Sequence, residues 1–290
     1  MTKKANSKRD WRFPFKSFPV YRFWICFVLR ASNFEFSVLM ITVRQLNYSI
    51  DGKPVLRDLN LHVRRGETVS VMGVSGSGKT TLLKIMAGLR PPYSGQVMID
   101  LTDITKLSEE ELNRVRHRLG VVFQYGALFD SLTVYGNVAF ALTRQTRLSK
   151  DEIDAIVEEK LALVGLPGTE DLMPSQLSGG MQKRVSLARA IAMNPEVLLY
   201  DEPTSGLDPV MTTVVGNLIT DMRNKLGVTS MVVSHDIESI FRISDRIAML
   251  HGGTIIAYGT PDEIRASEDE RVKQFVEGRA EGPIQPGVLA

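Results

Sequence analysis

Cysteine is nearly missing from this sequence, and so are long apolar runs and any strong imbalance of charge. Cys26 is the only cysteine in 290 residues, so no internal disulfide can form, which fits a reducing compartment with the cytosol as the default. No stretch approaches the roughly 20 apolar residues of a membrane-spanning helix; the nearest, Phe23 to Leu29, is bracketed by Arg22 and Arg30. Lys and Arg number 35 against 33 Asp and Glu, but the charge is unevenly spread. Residues 1 to 39 hold eight basic side chains against only Asp10 and Glu35, leaving the rest with more acid than base. A body of that balance has no cationic excess to neutralise a phosphate backbone, which argues against a nucleic-acid partner. With 43% hydrophobic residues, the chain can nonetheless bury a full core.

The leader, residues 1–39, contains both tryptophans, the sole cysteine and seven of the twelve phenylalanines, without helical or strand period. It reads as an accessory arm or as upstream sequence from a misassigned start codon, dispensable for phosphate chemistry; a basic contact with an anionic membrane surface is the competing reading. Its basic start and short apolar stretch also resemble a secretory signal, which the chemistry of the following residues disfavours. The body is expected over 40–277, and 278–290 reads as an irregular tail. Alternation from Ile41 through Val63 around Gly52 predicts an antiparallel pair. Thr68–Met72 predicts a buried strand, followed by a glycine-rich turn and a helix ending at Gly88. Ser108/Glu111 and Ser149/Glu152 have capping-box spacing. The first opens a helix that Gly120 is expected to stop before a strand at Val121–Phe123; the second opens a mostly helical region, about 124–195. Val197–Tyr200 and Ser230–Val233 read as buried parallel strands, Ile247–Leu250 and Thr254–Tyr258 as a hairpin across Gly252-Gly253, and Thr260-Pro261-Asp262-Glu263 as the start of one last helix.

Gly73-Val74-Ser75-Gly76-Ser77-Gly78-Lys79-Thr80-Thr81 carries a glycine, four residues, then Gly-Lys-Thr between a strand and a helix. That context supports a phosphate loop. Its curled backbone directs N–H groups inward, Lys79 reaches β- and γ-phosphates, and Thr80 can ligate magnesium. The apolar strand ending in Asp201-Glu202 brings one carboxylate to the metal and a second that can act as general base. Leu177-Ser178-Gly179-Gly180-Met181 caps another helix with bare backbone amides, a second anion site. Two phosphate-facing motifs in one chain suggest a site assembled from two subunits.

The stretch from Met40 to Phe275 resembles the nucleotide-binding subunits of ABC transporters, with Met181 standing where their Leu-Ser-Gly-Gly-Gln signature has glutamine. The resemblance implies an α/β P-loop NTPase (RecA-like) core with an antiparallel β subdomain and an α-helical signature subdomain. It also implies roles that spacing does not show. Tyr48 would stack on adenine, Gln124 would sense the magnesium and link it to a permease, Asp208 would act in the D-loop, and His235 would meet the γ-phosphate. ATP and Mg2+ are the implied cofactors. A homodimer on an integral membrane permease, at the cytoplasmic face of the inner membrane, is the implied assembly. Phe123–Phe129, Leu172-Met173-Pro174, Met181 and Arg271–Phe275 with Glu281-Gly282-Pro283 are similar to ATPases of Mla and Mce-associated lipid transporters, which adds an Mce-type lipid-binding partner. In those ATPases the tail reaches across to the partner subunit. Pro203-Thr204-Ser205-Gly206-Leu207 follows the generic ABC form instead, and an amino-acid or small-solute importer shares every motif. Non-transport ABC proteins usually carry paired cassettes or long inserts, and a P-loop kinase or GTPase has no use for Leu177–Gly180.

Overall fold

Two long strands, β1 (Leu39–Ile50) and β2 (Lys53–Arg64), pair antiparallel across Asp51 and Gly52, whose φ values of 48° and 76° supply the turn. A computed structural model describes residues 39–285 of the chain; most of the leader, and residues 286–290 of the tail, lie outside them. β4 (Ser94–Ile99) and β5 (Thr102–Asp103) complete a four-stranded sheet in the order β2-β1-β4-β5. The second sheet has the order β10-β9-β3-β8-β7-β6. In it β3 (Thr68–Met72), β6 (Leu119–Val122), β7 (Val197–Asp201), β8 (Thr229–Val233) and β9 (Arg246–His251) run parallel, and β10 (Thr254–Gly259) lies antiparallel at one edge. Every residue of β3, β7 and β8 is buried, as apolar strands covered on both faces must be.

Helix α1 (Lys79–Met86) provides one cover. Its Leu82, Leu83, Ile85 and Met86 share a core with Ile41 and Leu59 of the first sheet and Val71, Leu199 and Met231 of the second. The opposite face is covered by α3 (Val134–Gln145), α4 (Lys150–Leu163), α5 (Gly179–Ile191) and α6 (Pro209–Leu226), where Val138, Val157, Leu161, Val185 and Ile219 meet Leu198 and Tyr200. A third cluster joins Met72, Ile247 and Met249 to α7 (Ile237–Ile243), α8 (Pro261–Arg265) and α9 (Glu270–Glu277). Each fully buried Leu, Ile or Met contributes about 1.5–3 kcal/mol of transfer free energy.

The capping boxes at Ser108 and Ser149 form as spaced, opening α2 (Glu109–Arg116) and α4. Two expectations change, and two features were not expected. Gly120 does not stop a helix: α2 ends at Arg116, and Gly120 lies inside β6, where a Cβ would come within 2.5 Å of the Ala190 carbonyl oxygen and Leu198. The strand therefore begins at Leu119, two residues before the expected start. The last helix is two, because Asp269 caps a fresh start at Glu270 by accepting from the Arg271 N–H at 2.8 Å. The β4–β5 pair was not expected, although Val97 and Ile99 alternate inward before a tight turn at Asp100, φ 57°. Finally, the described part of the tail folds back. Ile284 is buried, and the Gln274 side chain donates to its carbonyl at 2.9 Å and accepts from its N–H at 2.7 Å.

Candidate nucleotide site

The parallel sheet sets the site. Gly73, His235, Asp201-Glu202 and Gln124 follow or end β3, β8, β7 and β6, four strands adjacent in the sheet. All lie at carboxyl ends, the edge where open α/β sheets bind ligands. The turn out of β3 is possible only with glycine at its ends. A Cβ on Gly73 (φ 154°) would collide with the Leu250 carbonyl oxygen, and one on Gly78 (φ 104°) would come within 2.9 Å of Leu56. Val74 to Ser77 make the bend between, and Thr81 follows Thr80 in the first turn of α1. The Ser77 hydroxyl is buried without a hydrogen-bond partner.

Lys79, 7% exposed, curls back so that its ammonium donates to the Gly73 and Val74 carbonyls at 2.8 and 3.1 Å. Burial pulls its pKa down, and the Glu202 and Asp201 carboxylates pull it back up. Thr80 Oγ1 donates to Asp201 Oδ1 at 2.9 Å. Burial holds the Asp201 carboxyl above its ordinary pKa, opposed by the Thr80 hydrogen bond and assisted by neighbouring Glu202. Glu202 occupies the left-handed region, φ 49°, a conformation that costs a non-glycine residue roughly 1–2 kcal/mol. Its Oε2 accepts from Ser234 Oγ at 3.2 Å and the His235 N–H at 3.3 Å, with His235 Nδ1 2.8 Å away. With a proton on Nδ1 the ring donates to the carboxylate and keeps the other nitrogen free to face outward.

The remaining candidates are not drawn into this cluster. Tyr48 lies on β1 opposite Leu56, the residue that abuts Gly78, and its hydroxyl accepts from Arg90 at 3.1 Å. Asp208 caps α6, accepting from the Val210 and Met211 N–H groups at 2.9 and 3.0 Å. Ser178, Gly179 and Gly180 begin α5, which packs on α3, α4 and α6, whereas the phosphate-loop helix α1 packs on β7 and β8. Ser178 Oγ accepts from the Met181 N–H at 3.2 Å. The unusual Met181 side chain packs against the apolar cluster of the helical region, so an apolar residue suits it. Two residues escaped the sequence reading: Ser234, a neighbour of His235, and Lys183, whose ammonium donates to the Gln124 and Glu202 carbonyls. A lysine among the buried residues of a helix was the available signal.

The residues fit a magnesium–nucleotide. The glycine cradle has no room for side chains, Ser77 offers an unpaired hydroxyl, and Thr80 with Asp201 presents hard oxygen ligands side by side. Among the described residues no group of three or more His, Cys, Asp or Glu could form an all-protein metal cage.

A loop–lysine–carboxylate site at the carboxyl edge of a parallel sheet defines a P-loop nucleotide-binding protein. The antiparallel sheet and the separate capped glycine helix narrow that class. The family pattern described as "ABC transporter" matches residues 56–205. The intermembrane phospholipid transport system ATP-binding protein MlaF of Haemophilus influenzae is 42% identical over 85% of this chain and 93% of its own. The probable ribonucleotide transport ATP-binding protein mkl of Mycobacterium tuberculosis is 41% identical over 88% of this chain and 71% of its own. Among solved structures, the dimeric post-hydrolysis state of the ATP-binding cassette MJ0796, bound to ADP and Pi, superposes with a TM-score of 0.71 at 34% identity, covering 77% of this chain and 99% of that one. The chain belongs to the ABC transporter family and is an ATP-binding, ATP-hydrolysing subunit of it. Among the described residues no helix is long and apolar enough to cross a membrane.

Proposed function

We propose that this chain powers phospholipid transport between bacterial membranes, as a homodimer on the cytoplasmic face of the inner membrane beneath an integral permease and with an Mce-type lipid-binding partner. The observation that carries the dimer is the separation of the two phosphate-facing motifs. The Lys79 loop lies on α1 and the Ser178–Gly180 amides on α5, which pack on different parts of the fold, so a second copy would supply the other half. The 42% identity to a phospholipid-transport ATP-binding protein along nearly its whole length supports the lipid reading.

Within the site, Tyr48 would hold the adenine and the loop amides with Lys79 the phosphates. Gly73, Ser75, Gly76, Ser77, Gly78 and Thr81 belong to the same cradle. Thr80, Asp201 and Gln124 would hold magnesium, which when bound neutralises charge on the phosphate oxygens. Glu202 would accept the proton of the attacking water, His235 would orient that carboxylate and touch the γ-phosphate, and the partner's signature amides and Asp208 loop would close the site. The output surface is the loop from Gln124 to Tyr135. There Phe129 is 42% exposed and stacks on Phe140 with ring centroids 4.4 Å apart, beside a groove formed with Tyr135, Gly136 and Arg144.

The test is to isolate the tagged full-length chain in gentle detergent and identify what accompanies it. A multi-span permease carrying phospholipid and an Mce-type protein is the expected result. A permease bound to a periplasmic amino-acid receptor would overturn the lipid reading and leave the ATPase standing. The relative named for ribonucleotide transport favours a small polar solute as the second reading, and the same isolation decides it.

A further inference from the structure

Three residues of α5 separated by one turn each, Lys183, Ser186 and Arg189, form a row of donors on one face. The Lys183 ammonium donates to the Gln124 carbonyl, Ser186 Oγ to the Gly126 carbonyl at 3.0 Å, and Arg189 to the Ala127 and Gly126 carbonyls at 2.7 and 2.8 Å. Gly126 and Ala127 both lie at positive φ, 73° and 47°. The loop after Gln124 is therefore carried on the helix that begins at Ser178. Lys183 reaches further than its two neighbours, because its ammonium also lies 3.4 Å from the main-chain oxygen of Glu202. It is 8% exposed, and burial pulls its pKa down against the pull of Glu202 and Asp201. Val122, Leu187 and Tyr200 line the small cavity beside it, so an apolar residue would pack there without the cost of burying a charge.

We propose that Lys183 is a positioning residue: it clamps the backbone of Glu202 to that of Gln124, so that one movement of the signature helix sets both. The inference rests on the roles proposed above for Glu202 and Gln124. Lys183 acts through main-chain oxygens, one of them on a peptide held at positive φ, where loss of one restraint displaces the carboxylate.

The test is steady-state ATPase kinetics of the purified full-length chain. Lys183→Met keeps the length and removes the donors. It is expected to lower kcat about 100-fold, the cost of misplacing a reacting group by about 1 Å, with KM for ATP changed less than about twofold. Lys183→Arg, which keeps charge and donors, should recover most of the rate. Ser186→Ala, which loosens only the Gly126 contact, should stay within about twofold of wild type. An unchanged kcat in Lys183→Met, or an equal loss in Ser186→Ala, overturns the clamp. Should Lys183→Met fail to fold, Lys183→Gln replaces it: a reduced kcat at constant KM supports the clamp, and wild-type kcat overturns it. A wild-type chain that does not turn over ATP counts against the proposed function instead.

Discussion

Replacing Glu202 by glutamine tests the proton-accepting role proposed for it and leaves the rest of the site intact. The residue is 8% exposed and receives three hydrogen-bond contacts at one oxygen, from Ser234 Oγ, the His235 N–H and His235 Nδ1. Glutamine presents a carbonyl oxygen to the same donors, so the fold should lose about 1 kcal/mol or less. Two electrostatic changes oppose one another. Removing the charge relieves Asp201, whose carboxyl Glu202 helps to hold up, and withdraws support from the buried Lys79 and Lys183 ammoniums. The chemistry has no such offset. Losing a general base lowers turnover about 100- to 10,000-fold, or roughly 3–5 kcal/mol of barrier. ATP binding should remain, since the glycine loop, Lys79 and Thr80 are untouched. The variant should therefore accumulate as an ATP-bound dimer, seen by size-exclusion chromatography in magnesium and ATP beside a phosphate-release assay. Wild-type turnover, or turnover lost only because ATP no longer binds, refutes the assignment.

Phe129→Asp should leave folding and ATP binding intact, since the ring is partly exposed while the loop is held by the Phe129 N–H donating to Asn137 at 2.8 Å; permease-stimulated ATPase should disappear, and normal stimulation would move the docking surface elsewhere. Gln274→Leu removes both bonds to the Ile284 backbone and one at 3.3 Å to the Arg279 carbonyl, so stability should fall by about 1–3 kcal/mol and residues 279–285 should become open to limited proteolysis, while a protected tail would show another anchor. Arg271 holds the Asp269 carboxyl down to about 2, and a depressed carboxylate contributes stability present above its unfolded pKa and lost as pH falls through the folded one. Asp269→Asn should thus cost about 0.5–1 kcal/mol at neutral pH, and the gap in urea midpoint should close as pH falls below about 4; a gap independent of pH would refute the charge as its cause.

Features of this fold that depend on a few consecutive residues were legible in the chain. The phosphate loop is one, because the spacing of Gly73, Gly78, Lys79 and Thr80 lies within eight residues and both glycines sit at positive φ. The capping boxes at Ser108, Ser149 and Thr260 are others, since each is a bond between residues three apart. What was not legible depends on distant packing. Gly120 reads as a helix stop until the Ala190 carbonyl, seventy positions away, shows why the strand needs a glycine there. The β4–β5 strands acquire their inward face only against β1. Nothing in Asp201-Glu202 announces that the second residue must turn left-handed to meet Ser234 and His235, and nothing in Met181-Gln182-Lys183 announces that the lysine points inward to two carbonyls.

The two signature glycines illustrate how one motif can satisfy separate demands. At Gly179 a side chain would meet nothing within 4 Å, whereas at Gly180 it would come within 2.5 Å of the Met211 methyl on α6. Gly180 thus lies under the Met211 side chain of the helix that Asp208 caps, and a side chain there would have to displace that flexible tip. Gly179 faces open space, and its N–H belongs to the first helical turn, where no intrahelical acceptor exists. An anion brought there meets a bare amide and the positive end of the helix. Downstream on the same rigid helix, Lys183 holds Gln124 and Glu202, and Arg189 holds the loop that presents Phe129. The end proposed to face an anion, the strand end that carries Glu202 and the loop that carries Phe129 are therefore joined through one helix, Gly179–Ile191. On the roles proposed above, a helix stiff over that length would carry a displacement at Gly179 to the Gly126 and Ala127 carbonyls that Arg189 holds, two residues before Phe129.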